Sequence, residues 1–572
     1  MQLLDAMLDK ATAVDGVTGE KGLAAYAAYT IQAVALLLGM FARLDKQFMP
    51  DVLHRHSRIS DMFRFHIDTW VYQRYYPQVG DTGEFAAPET HYVALPFSRN
   101  QWLDAEGLFS LGPSTYSFLW QLYELTGETA FVQVLYHENN STTSGLPFDI
   151  FGSDLTTFSD RVNDVISTTG SVVKLPSVNK EEWHLALMRS GTSDDERVAW
   201  LAYDSGGRHS HANGLNLGLF AKGLDLMPDL GYPPVHQGGW SGPKFDWYLS
   251  TPAHNTVTVD GHNHATGSAR TTLWANGKKI HAIRSSGVDL IRSEESATLP
   301  LQFERTVIMV DISDVDSYIL DIFRVCGGCD HARFMHSHYS TLTTQGLRLE
   351  AGGAYDFAPL MRHYQTDPNP EPGWSVDWKV DDRQNLLSSP RDIHLRYIDL
   401  SDNVEASTAE GWIATGGFMS NAETWLPCLV TRRRLPKNVA PPLSSTFVGI
   451  IEPYEKTSNI LSTRRIKLSL NDGNELSANH IAVEIVLASG QRDIVVAMDT
   501  ENPLNRTPFW ISGVNYHLDD NELQCDGELC WLRFNSAGKL THYATWGARS
   551  LRTPTLSGAI HPTQLFEESD LT

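Results

Sequence analysis

Cysteine is scarce in this chain, which has five cysteines among 572 residues. A fold held together by disulfides is therefore not indicated. Basic residues are also in deficit, because 45 lysines and arginines stand against 68 aspartates and glutamates, for a formal net charge of −23. An acidic surface repels polyanions at long range, so this balance argues against nucleic-acid binding and against anionic membranes. An acidic sugar remains compatible, since a cleft can be locally basic on an acidic body.

The chain lacks low-complexity tracts and repeats of fixed period, and its 42% hydrophobic content predicts a globular protein with more than one core. It also lacks the basic segment that opens a signal peptide, since four acidic residues precede the first apolar run, namely Asp5, Asp9, Asp15 and Glu20. That run, 24–42, is long enough to span a membrane. Its tyrosines, threonine and glutamine favour a buried helix lining a cavity instead, so membrane insertion is not predicted.

The pattern of apolar residues changes along the chain. Helical spacing dominates up to about residue 135, with two short helices predicted on either side of Thr126-Gly127. Short β-branched or aromatic runs follow, and strands are predicted at 183–188, 198–203, 256–260, 306–311, 318–325, 482–487 and 493–498. This order predicts an α+β multidomain protein, in which an all-α unit precedes a large antiparallel β unit. The expected regions are helices in 1–145, a turn-rich linker in 146–175 and the β unit in 176–572, with a smaller β layer from about residue 480.

Histidines cluster with a carboxylate in the first part of the β unit. His209 and His211 lie two residues apart after a predicted strand, and on an extended backbone such residues project to the same face. Asp229 and His254 follow. Imidazole and carboxylate ligands suit zinc, so His211, Asp229 and His254 are candidate ligands. By spacing alone, loop histidines that only form hydrogen bonds are an equally good explanation.

The wider sequence around these residues resembles a known family. The strings are His209-Ser-His-Ala-Asn-Gly-Leu-Asn-Leu-Gly-Leu-Phe-Ala-Lys-Gly223, Asp229-Leu-Gly-Tyr232 and His254-Asn-Thr-Val-Thr-Val-Asp-Gly261. Together they resemble the core signature of the heparinase II/III-like lyase domain, and the stretch 304–336 is similar to its continuing β-sandwich. The resemblance implies an (α/α) toroid followed by an antiparallel β-super-sandwich. It implies a polysaccharide lyase that cleaves a uronate-containing glycan by β-elimination.

The resemblance also assigns roles to individual residues. It implies that His209 faces the substrate and takes part in proton transfer, and that His211, Asp229 and His254 bind a largely structural zinc. The string Asp15-Gly-Val-Thr-Gly-Glu-Lys-Gly-Leu-Ala-Ala-Tyr-Ala-Ala-Tyr29 is similar to the toroid string that carries the family's catalytic tyrosine. Tyr26 is accordingly the expected acid/base, and Tyr29 an expected substrate contact.

The chain departs from the family pattern at its beginning. In the family, an Asn-His pair that neutralises the substrate carboxylate stands well before the catalytic tyrosine, whereas here the tyrosine string starts at Asp15. The resemblance therefore predicts an incomplete toroid in 1–145.

Further substrate contacts are expected from chemistry. Gln78 or Asp81, in the string 75–83, could touch substrate at the rim of the cleft, although a structural loop between helices explains the same glycines. Arg270 and Trp240 are candidates because guanidinium groups match carboxylates and aromatic faces suit sugar rings. Ordinary surface placement is the alternative for both.

Two other functions remain open on the sequence. One is a vestigial zinc-containing protein that binds glycan without turnover, and the other is a zinc-dependent hydrolase, whose metal needs an open position for water. The expected partner is an acidic polysaccharide. The expected location, inferred from where such glycans are met, is the cell envelope, the periplasm or the exterior of the cell.

Overall fold

Helices occupy the first part of the chain and antiparallel strands the remainder, as the sequence predicts. The fold is known from a computed structural model, which describes residues 2–89, 91–93, 113–147, 157–292, 300–416, 420–470, 473–501, 516–518, 523–553 and 558–571. Eight α-helices lie within these residues: Gln2–Ala11, Tyr26–Leu44, Phe48–Arg55, Arg58–Thr69, Pro113–Thr126, Ala130–Glu138, Phe158–Thr169 and Pro243–Leu249. The pair predicted around Thr126-Gly127 is confirmed by the fifth and sixth of them.

A helix lies inside the segment 146–175, where the sequence predicts a turn-rich linker without a clear period. It runs from Phe158 to Thr169, and Phe158 and Val162 are buried in the helical core. Its apolar positions are separated by polar residues, so the helical spacing is weak in the sequence and becomes clear only through packing.

The apolar run 24–42 forms the helix Tyr26–Leu44, but the prediction that it is buried holds for one side only. Six residues face the core: Ala27, Ala28, Ile31, Val34, Ala35 and Leu38. On the other side Tyr29, Met40, Phe41 and Leu44 are exposed. Within the described residues, this helix is long and apolar enough to cross a membrane as judged by length and composition.

Two large sheets form the centre of the β region, and their described strand pairs are antiparallel. A five-stranded sheet contains, in spatial order, Val178–Lys180, Leu185–Ser190, Arg197–Ala202, Asn216–Ala221 and Leu224–Asp225. An eight-stranded sheet contains Ser340–Gln345, Ser375–Val380, Ile393–Asp399, Ser444–Glu455, Ser317–Cys326, Gln302–Asp311, Ile280–Ser286 and Arg270–Trp274.

Smaller sheets complete the β region. A six-stranded sheet contains Glu350–Ala351, Met361–Asp367, Glu405–Thr415, Ala422–Arg434, Asp330–His336 and Val257–Val259. A second six-stranded sheet contains Ile460–Arg465, Ile481–Leu487, Arg492–Ala497, Leu529–Phe534, Leu540–Trp546 and Phe566–Asp570. A four-stranded sheet contains Leu468–Leu470, Tyr516–Leu518, Leu523–Cys525 and Leu551–Arg552, and a two-stranded one contains Asp204–Ser205 and Gly267–Ser268.

The strand Arg197–Ala202 shows how one sheet serves two cores. Side chains alternate across a strand, so Val198 and Trp200 point into the core formed with the helices. Ala199 and Leu201 point the other way, into the core formed with the eight-stranded sheet. Because both faces are covered, the strand is a continuous buried run rather than an alternating one. The helices and the β region are thereby packed together, and the loops at the ends of these strands meet the loops between the helices.

Candidate active site and metal centre

Loops from the helical region and from the β region are joined by backbone hydrogen bonds at one place. The Lys21 amide donates to the Arg208 carbonyl at 3.2 Å, and the Asp81 amide donates to the His209 carbonyl at 2.9 Å. The Tyr232 amide donates to the Gly83 carbonyl at 3.1 Å. These bonds bring four segments of the chain, around residues 21, 81–83, 208–209 and 232, into one site.

Gly80 allows this close approach. Its φ is +76°, and a Cβ at this position would lie 2.3 Å from the His209 carbonyl oxygen. Any other residue would therefore meet both an unfavourable backbone conformation and a steric clash. The string 75–83 thus contains a glycine whose conformation and lack of a side chain are both required by the site.

His211, Asp229 and His254 come together in the interior. Their ligand atoms all lie within 4.8 Å of one another, and each residue is at most 2% exposed. The His211 Nδ1 to His254 Nε2 distance is 3.2 Å, and His254 Nε2 lies 3.4 Å from Asp229 Oδ2. Ligands bound to one tetrahedral zinc at 2.0–2.1 Å are separated by about 3.3 Å. The spacing of this cluster therefore suits a small metal ion.

Hydrogen bonds at the outer nitrogens identify which ring atoms face the cluster. His254 Nδ1 donates to the Ser250 carbonyl at 2.9 Å, and His211 Nε2 donates to Asp81 Oδ1 at 3.1 Å. When both rings are in the neutral form that binds metals, their facing nitrogens carry lone pairs. Two lone pairs and a carboxylate that converge in this way repel one another unless a cation lies between them. His211, Asp229 and His254 therefore fit a metal by donor chemistry as well as by distance.

Asparagines hold the Asp229 carboxylate in place. Asn216 Nδ2 donates to Oδ2 at 2.9 Å, Asn213 Nδ2 donates to the same oxygen at 3.3 Å, and the Gly231 amide donates to Oδ1 at 3.2 Å. Burial acts to raise the pKa of Asp229, but attraction to His254 and His211, when these rings bind a proton in place of a metal, outweighs it and holds the pKa below its ordinary value. The carboxylate is thus kept in its metal-binding, ionised form.

Buried Arg305 fixes the two loops that carry the histidine ligands. Its Nη1 donates to the Leu215 carbonyl at 2.7 Å and to the Asn255 carbonyl at 2.6 Å. Its charge is balanced by Asp321, which accepts from Nε at 2.9 Å and from Nη2 at 2.7 Å. This arginine lies on the strand Gln302–Asp311 and connects the eight-stranded sheet to the site.

Tyr26 and His209 lie against each other next to the cluster. Their rings are stacked, with centroids 3.6 Å apart and planes 15° apart. The Tyr26 hydroxyl is 2.8 Å from the Tyr232 hydroxyl. Burial and the hydrogen bond with Tyr26 raise the pKa of Tyr232 well above its ordinary value. The phenols of Tyr26 and Tyr232 and the imidazole of His209 therefore lie together at a partly exposed place on the protein.

Asp81 and Glu20 surround the His209 ring. His209 Nδ1 donates to Asp81 Oδ2 at 3.0 Å, and Nε2 lies 3.4 Å from Glu20 Oε1. The side chain of His209 is 27% exposed, whereas that of Asp81 is 9% exposed. His209 is thus the more accessible member of this pair.

The expectation that His209 and His211 share the face of an extended strand is wrong. They lie in the loop after the strand Asp204–Ser205, and His209 has a left-handed φ of +57°. The two rings nevertheless reach the same carboxylate, that of Asp81. The loop backbone, and not strand alternation, brings them together.

The predicted substrate contacts have different environments. Tyr29 is 59% exposed and packs edge-on against Tyr26, with ring centroids 5.9 Å apart. Gln78 is buried, donates to the Glu84 carbonyl and lines a cavity of about 390 Å³ that also borders Ala24 and Thr82. Tyr29 therefore contacts Tyr26, whereas Gln78 lies at a cavity beside Ala24.

Trp240 and Arg270 lie on the surface. Trp240 is 62% exposed in the loop between Tyr232 and the helix Pro243–Leu249, where it packs against Phe245. Arg270 is exposed at the start of the strand Arg270–Trp274, which forms an edge of the eight-stranded sheet. Among the described contacts, neither side chain reaches the histidine cluster.

Sequence reasoning missed the roles of Tyr232 and of the asparagines. Tyr232 stands inside the string Asp229-Leu-Gly-Tyr232, and Asn213 and Asn216 stand inside the string that begins at His209. Their presence in strings that also carry candidate ligands was the available signal. Their contacts depend on chain segments that only the fold brings together.

Known proteins resemble this chain in sequence over its central part. Residues 197–325 match the family described as heparinase II/III-like, C-terminal. An endo-acting ulvan lyase from Formosa agariphila is 24% identical over 233 residues, which cover 35% of this chain and 27% of that protein. This chain therefore spans about a quarter of the curated relative that it matches.

Solved structures resemble the chain over most of its length. The mutant heparan sulfate lyase HepC from Pedobacter heparinus matches with a TM-score of 0.55 and 15% identity, over 87% of this chain and 61% of that one. Heparinase III matches with a TM-score of 0.51 and 12% identity, over 85% and 61% of the respective chains. At these identities the likeness concerns the fold, and the chain spans about three-fifths of each structure. Residues 197–325 thus match the heparinase II/III-like C-terminal family, and most of the chain resembles heparinase structures in fold.

Proposed function

We propose that this protein is a polysaccharide lyase that cleaves a uronate-containing glycan by β-elimination. The contact between Tyr26 and His209 carries the proposal, because two groups able to transfer protons come from distant segments and stack at 3.6 Å beside a His–Asp–His cluster. Tyr26, not Tyr29, makes this contact, which supports Tyr26 as the catalytic tyrosine. The names of the relatives, an ulvan lyase and a heparan sulfate lyase, support the class of reaction.

The elimination needs a base and an acid on the same sugar unit. The C5 proton of a uronate becomes acidic enough to remove when its neighbouring carboxylate is neutralised. His209 is suited to take that proton, since its ring is accessible and its orientation is fixed by Asp81. Tyr26 is suited to donate a proton to the departing O4. The proton that His209 took can then pass to Tyr26 and restore its hydroxyl. The C4–O4 bond breaks and a double bond forms between C4 and C5, without addition of water.

His211, Asp229 and His254 would hold zinc, and the bound ion would supply structural cross-linking of the loops that carry the site. Their near-complete burial supports a structural role. Three protein ligands leave a fourth position on zinc, but the near-complete burial of all three limits the access of water and substrate to it and so disfavours the zinc hydrolase. For the chemistry, these three residues hold in place the backbone that carries His209.

The proposal extends to the architecture and the substrate class. We assign the helices of 1–145 to part of an (α/α) toroid, 146–175 to the connection and 176–572 to the β-super-sandwich with its smaller C-terminal layer. The substrate is an acidic polysaccharide, met in the cell envelope, the periplasm or outside the cell. Tyr29, which packs against Tyr26, and Gln78 are proposed substrate contacts, and Trp240 and Arg270 are proposed for more distant sugar units.

The experiment is ultraviolet absorbance of the protein with a panel of uronate polysaccharides, because β-elimination leaves an unsaturated uronate that absorbs. We expect a rise with at least one polymer, and loss of that rise in His209→Ala and in Tyr26→Phe. His262→Ala is the matched control, since His262 is exposed and lies in a turn outside the proposed machinery.

No rise with any polymer from folded, zinc-loaded protein would contradict the proposal and favour the vestigial glycan-binding alternative. A rise that survives in His209→Ala would leave the lyase class intact and remove His209 from the reaction. These two results separate the class of activity from the assignment of residues.

A further inference from the structure

One carboxylate lies between the proposed proton-transfer histidine and the metal cluster. Asp81 Oδ1 accepts from His211 Nε2 at 3.1 Å, and Asp81 Oδ2 accepts from His209 Nδ1 at 3.0 Å. Each oxygen of this one carboxylate is thus bound to a different histidine. Asp81 comes from the helical region, 128 residues from His209 and 130 from His211 in the sequence.

The backbone holds Asp81 in this position. Its amide donates to the His209 carbonyl at 2.9 Å, so the same two residues are joined through main chain and side chain. The neighbouring loop is fixed by Gly22, whose amide donates to the Val79 carbonyl at 2.9 Å. The Asp81 side chain is only 9% exposed. Both of its carboxylate oxygens face histidine nitrogens.

These hydrogen bonds determine where the histidine protons reside. A carboxylate only accepts, so His211 must carry its proton on Nε2 and present the lone pair of Nδ1 to Asp229 and His254. By the same reasoning His209 carries a proton on Nδ1. When the ring is neutral, Nε2 is then the atom available for accepting a proton, since its 3.4 Å approach to Glu20 Oε1 is not among the described hydrogen bonds. An outer carboxylate that orients a metal-binding histidine in this way typically strengthens metal binding.

We propose that Asp81 is a positioning residue that couples the metal cluster to His209, by fixing the proton-bearing nitrogen of both rings through one carboxylate. The role of His209 in proton transfer rests on the proposed lyase function. The coupling itself is a property of three side chains and holds with or without substrate. Loss of one acceptor oxygen of Asp81 should therefore disturb the metal cluster and His209 together.

Asp81→Asn is the decisive variant, because asparagine has the same shape but only one acceptor oxygen. Its NH₂ group faces one histidine N–H with another N–H, and its neutral oxygen is a weaker acceptor than a carboxylate oxygen for the other histidine, so both rings are disturbed. We expect the zinc dissociation constant, measured by competition with a chromogenic chelator on the full chain, to rise about 10–100-fold. We also expect nitrogen NMR of isotope-labelled histidine to show His209 moving from the Nδ1–H form toward the Nε2–H form.

Glu20→Gln is the matched control, since Glu20 approaches His209 but has no described contact with His211. It should leave zinc affinity unchanged. Asp81→Glu keeps both acceptor oxygens and the charge, so it should retain more zinc than Asp81→Asn and guards against a variant that fails to fold. With an active substrate in hand, Asp81→Asn should lower kcat much more than it changes KM, even at saturating zinc.

The two substrate-free measurements decide the proposal. A change in both zinc affinity and the His209 proton position supports coupling through Asp81. A change in only one of them, or in neither, overturns it, since Asp81 would then serve a single histidine or none. Because neither measurement needs a substrate, an inactive wild-type protein would refute the lyase function without affecting this test.

Discussion

The pair of phenols formed by Tyr26 and Tyr232 makes a prediction at the scale of single residues. The raised pKa of Tyr232 keeps its hydroxyl protonated, so it can donate a hydrogen bond to the Tyr26 oxygen. That bond gains strength when Tyr26 gives up its proton to the leaving oxygen and becomes negative. A hydrogen bond to a charged group contributes about 1.5–3 kcal/mol, so Tyr232→Phe should lower kcat about 10–100-fold.

Steady-state kinetics of Tyr232→Phe beside Tyr26→Phe checks this prediction. We expect KM to change little in Tyr232→Phe and activity to be abolished in Tyr26→Phe. An unchanged kcat in Tyr232→Phe would mean that the 2.8 Å contact between the hydroxyls is structural only.

Site residues were predictable from the sequence where residue type and order along the chain are enough to suggest their chemistry. His211, Asp229 and His254 could be named as candidate ligands from their residue types and their order, and the structure brings them together. The bridging contact of Asp81 was not predictable, because it joins residues 128 and 130 positions apart and leaves no periodic signal. A carboxylate in a glycine-containing loop indicates only a turn until its partners are known.

At the scale of elements, Gly80 tests whether the loop between the helices determines the site. Gly80→Ala places a Cβ 2.3 Å from the His209 carbonyl oxygen, in a backbone conformation with φ of +76°. We expect a loss of about 3 kcal/mol or more in the free energy of unfolding, measured in urea, because backbone strain and a buried clash add.

Gly127→Ala is the control for the backbone term alone. Its φ is +73°, close to that of Gly80, but nothing lies within 4 Å of the added Cβ. This variant should lower the free energy of unfolding by about 1 kcal/mol, the ordinary penalty of an alanine in a left-handed conformation. Equal losses in the two variants would show that the approach of Gly80 to His209 does not constrain the fold.

Elements were predictable where one face of a helix or strand is buried in a regular way. The strands Arg197–Ala202 and Ser317–Cys326 coincide with runs of β-branched and aromatic residues, as expected. The helix Tyr26–Leu44 was predicted to be buried because its apolar run also holds tyrosines, a threonine and a glutamine, yet residues such as Met40 and Leu44 are exposed. Composition indicates that a helix can be buried, whereas the neighbours available to it decide how much of it is.

At the scale of the whole molecule, buried histidines predict how stability depends on pH. Burial lowers the pKa of His66, His331 and His480 from 6.5 to about 4 in the folded chain. Above pH 6.5 these rings are neutral in both the folded and the unfolded chain, so their contribution to the free energy of unfolding is fully present. As the pH falls from 6.5 toward 4, the unfolded chain takes up protons that the folded chain does not, and stability is lost, on the order of 3 kcal/mol per histidine.

Urea unfolding at a series of pH values measures this effect. The midpoint should fall steeply below about pH 6.5 and should be nearly flat above about pH 7. His331 is the histidine at which this pH effect can be checked at a single site, because its ring is fully buried. It bridges the Ser445 hydroxyl at 2.7 Å and the Gly327 carbonyl at 2.6 Å. A midpoint that stays constant down to about pH 5 would mean that these histidines become accessible before the chain unfolds.

The order of helices and strands along the chain was enough to predict a mixed α and β molecule with antiparallel sheets. The way in which the strand Arg197–Ala202 serves two cores was not, because a continuous apolar run does not reveal which side chain faces which layer. The site depends on that packing, since it lies where the loops of the helices meet the loops of the sheets.

The central claim, elimination without water, is tested most directly by digesting the active polysaccharide in water enriched in heavy oxygen, reducing the products at once with borohydride to stop oxygen exchange at their reducing ends, and weighing them by mass spectrometry. An eliminating enzyme breaks the C4–O4 bond and takes no oxygen from water, so we predict products without the heavy isotope, each cleavage giving one unsaturated end. Products that carry one heavy oxygen for each bond cleaved would contradict the account and make the protein a hydrolase.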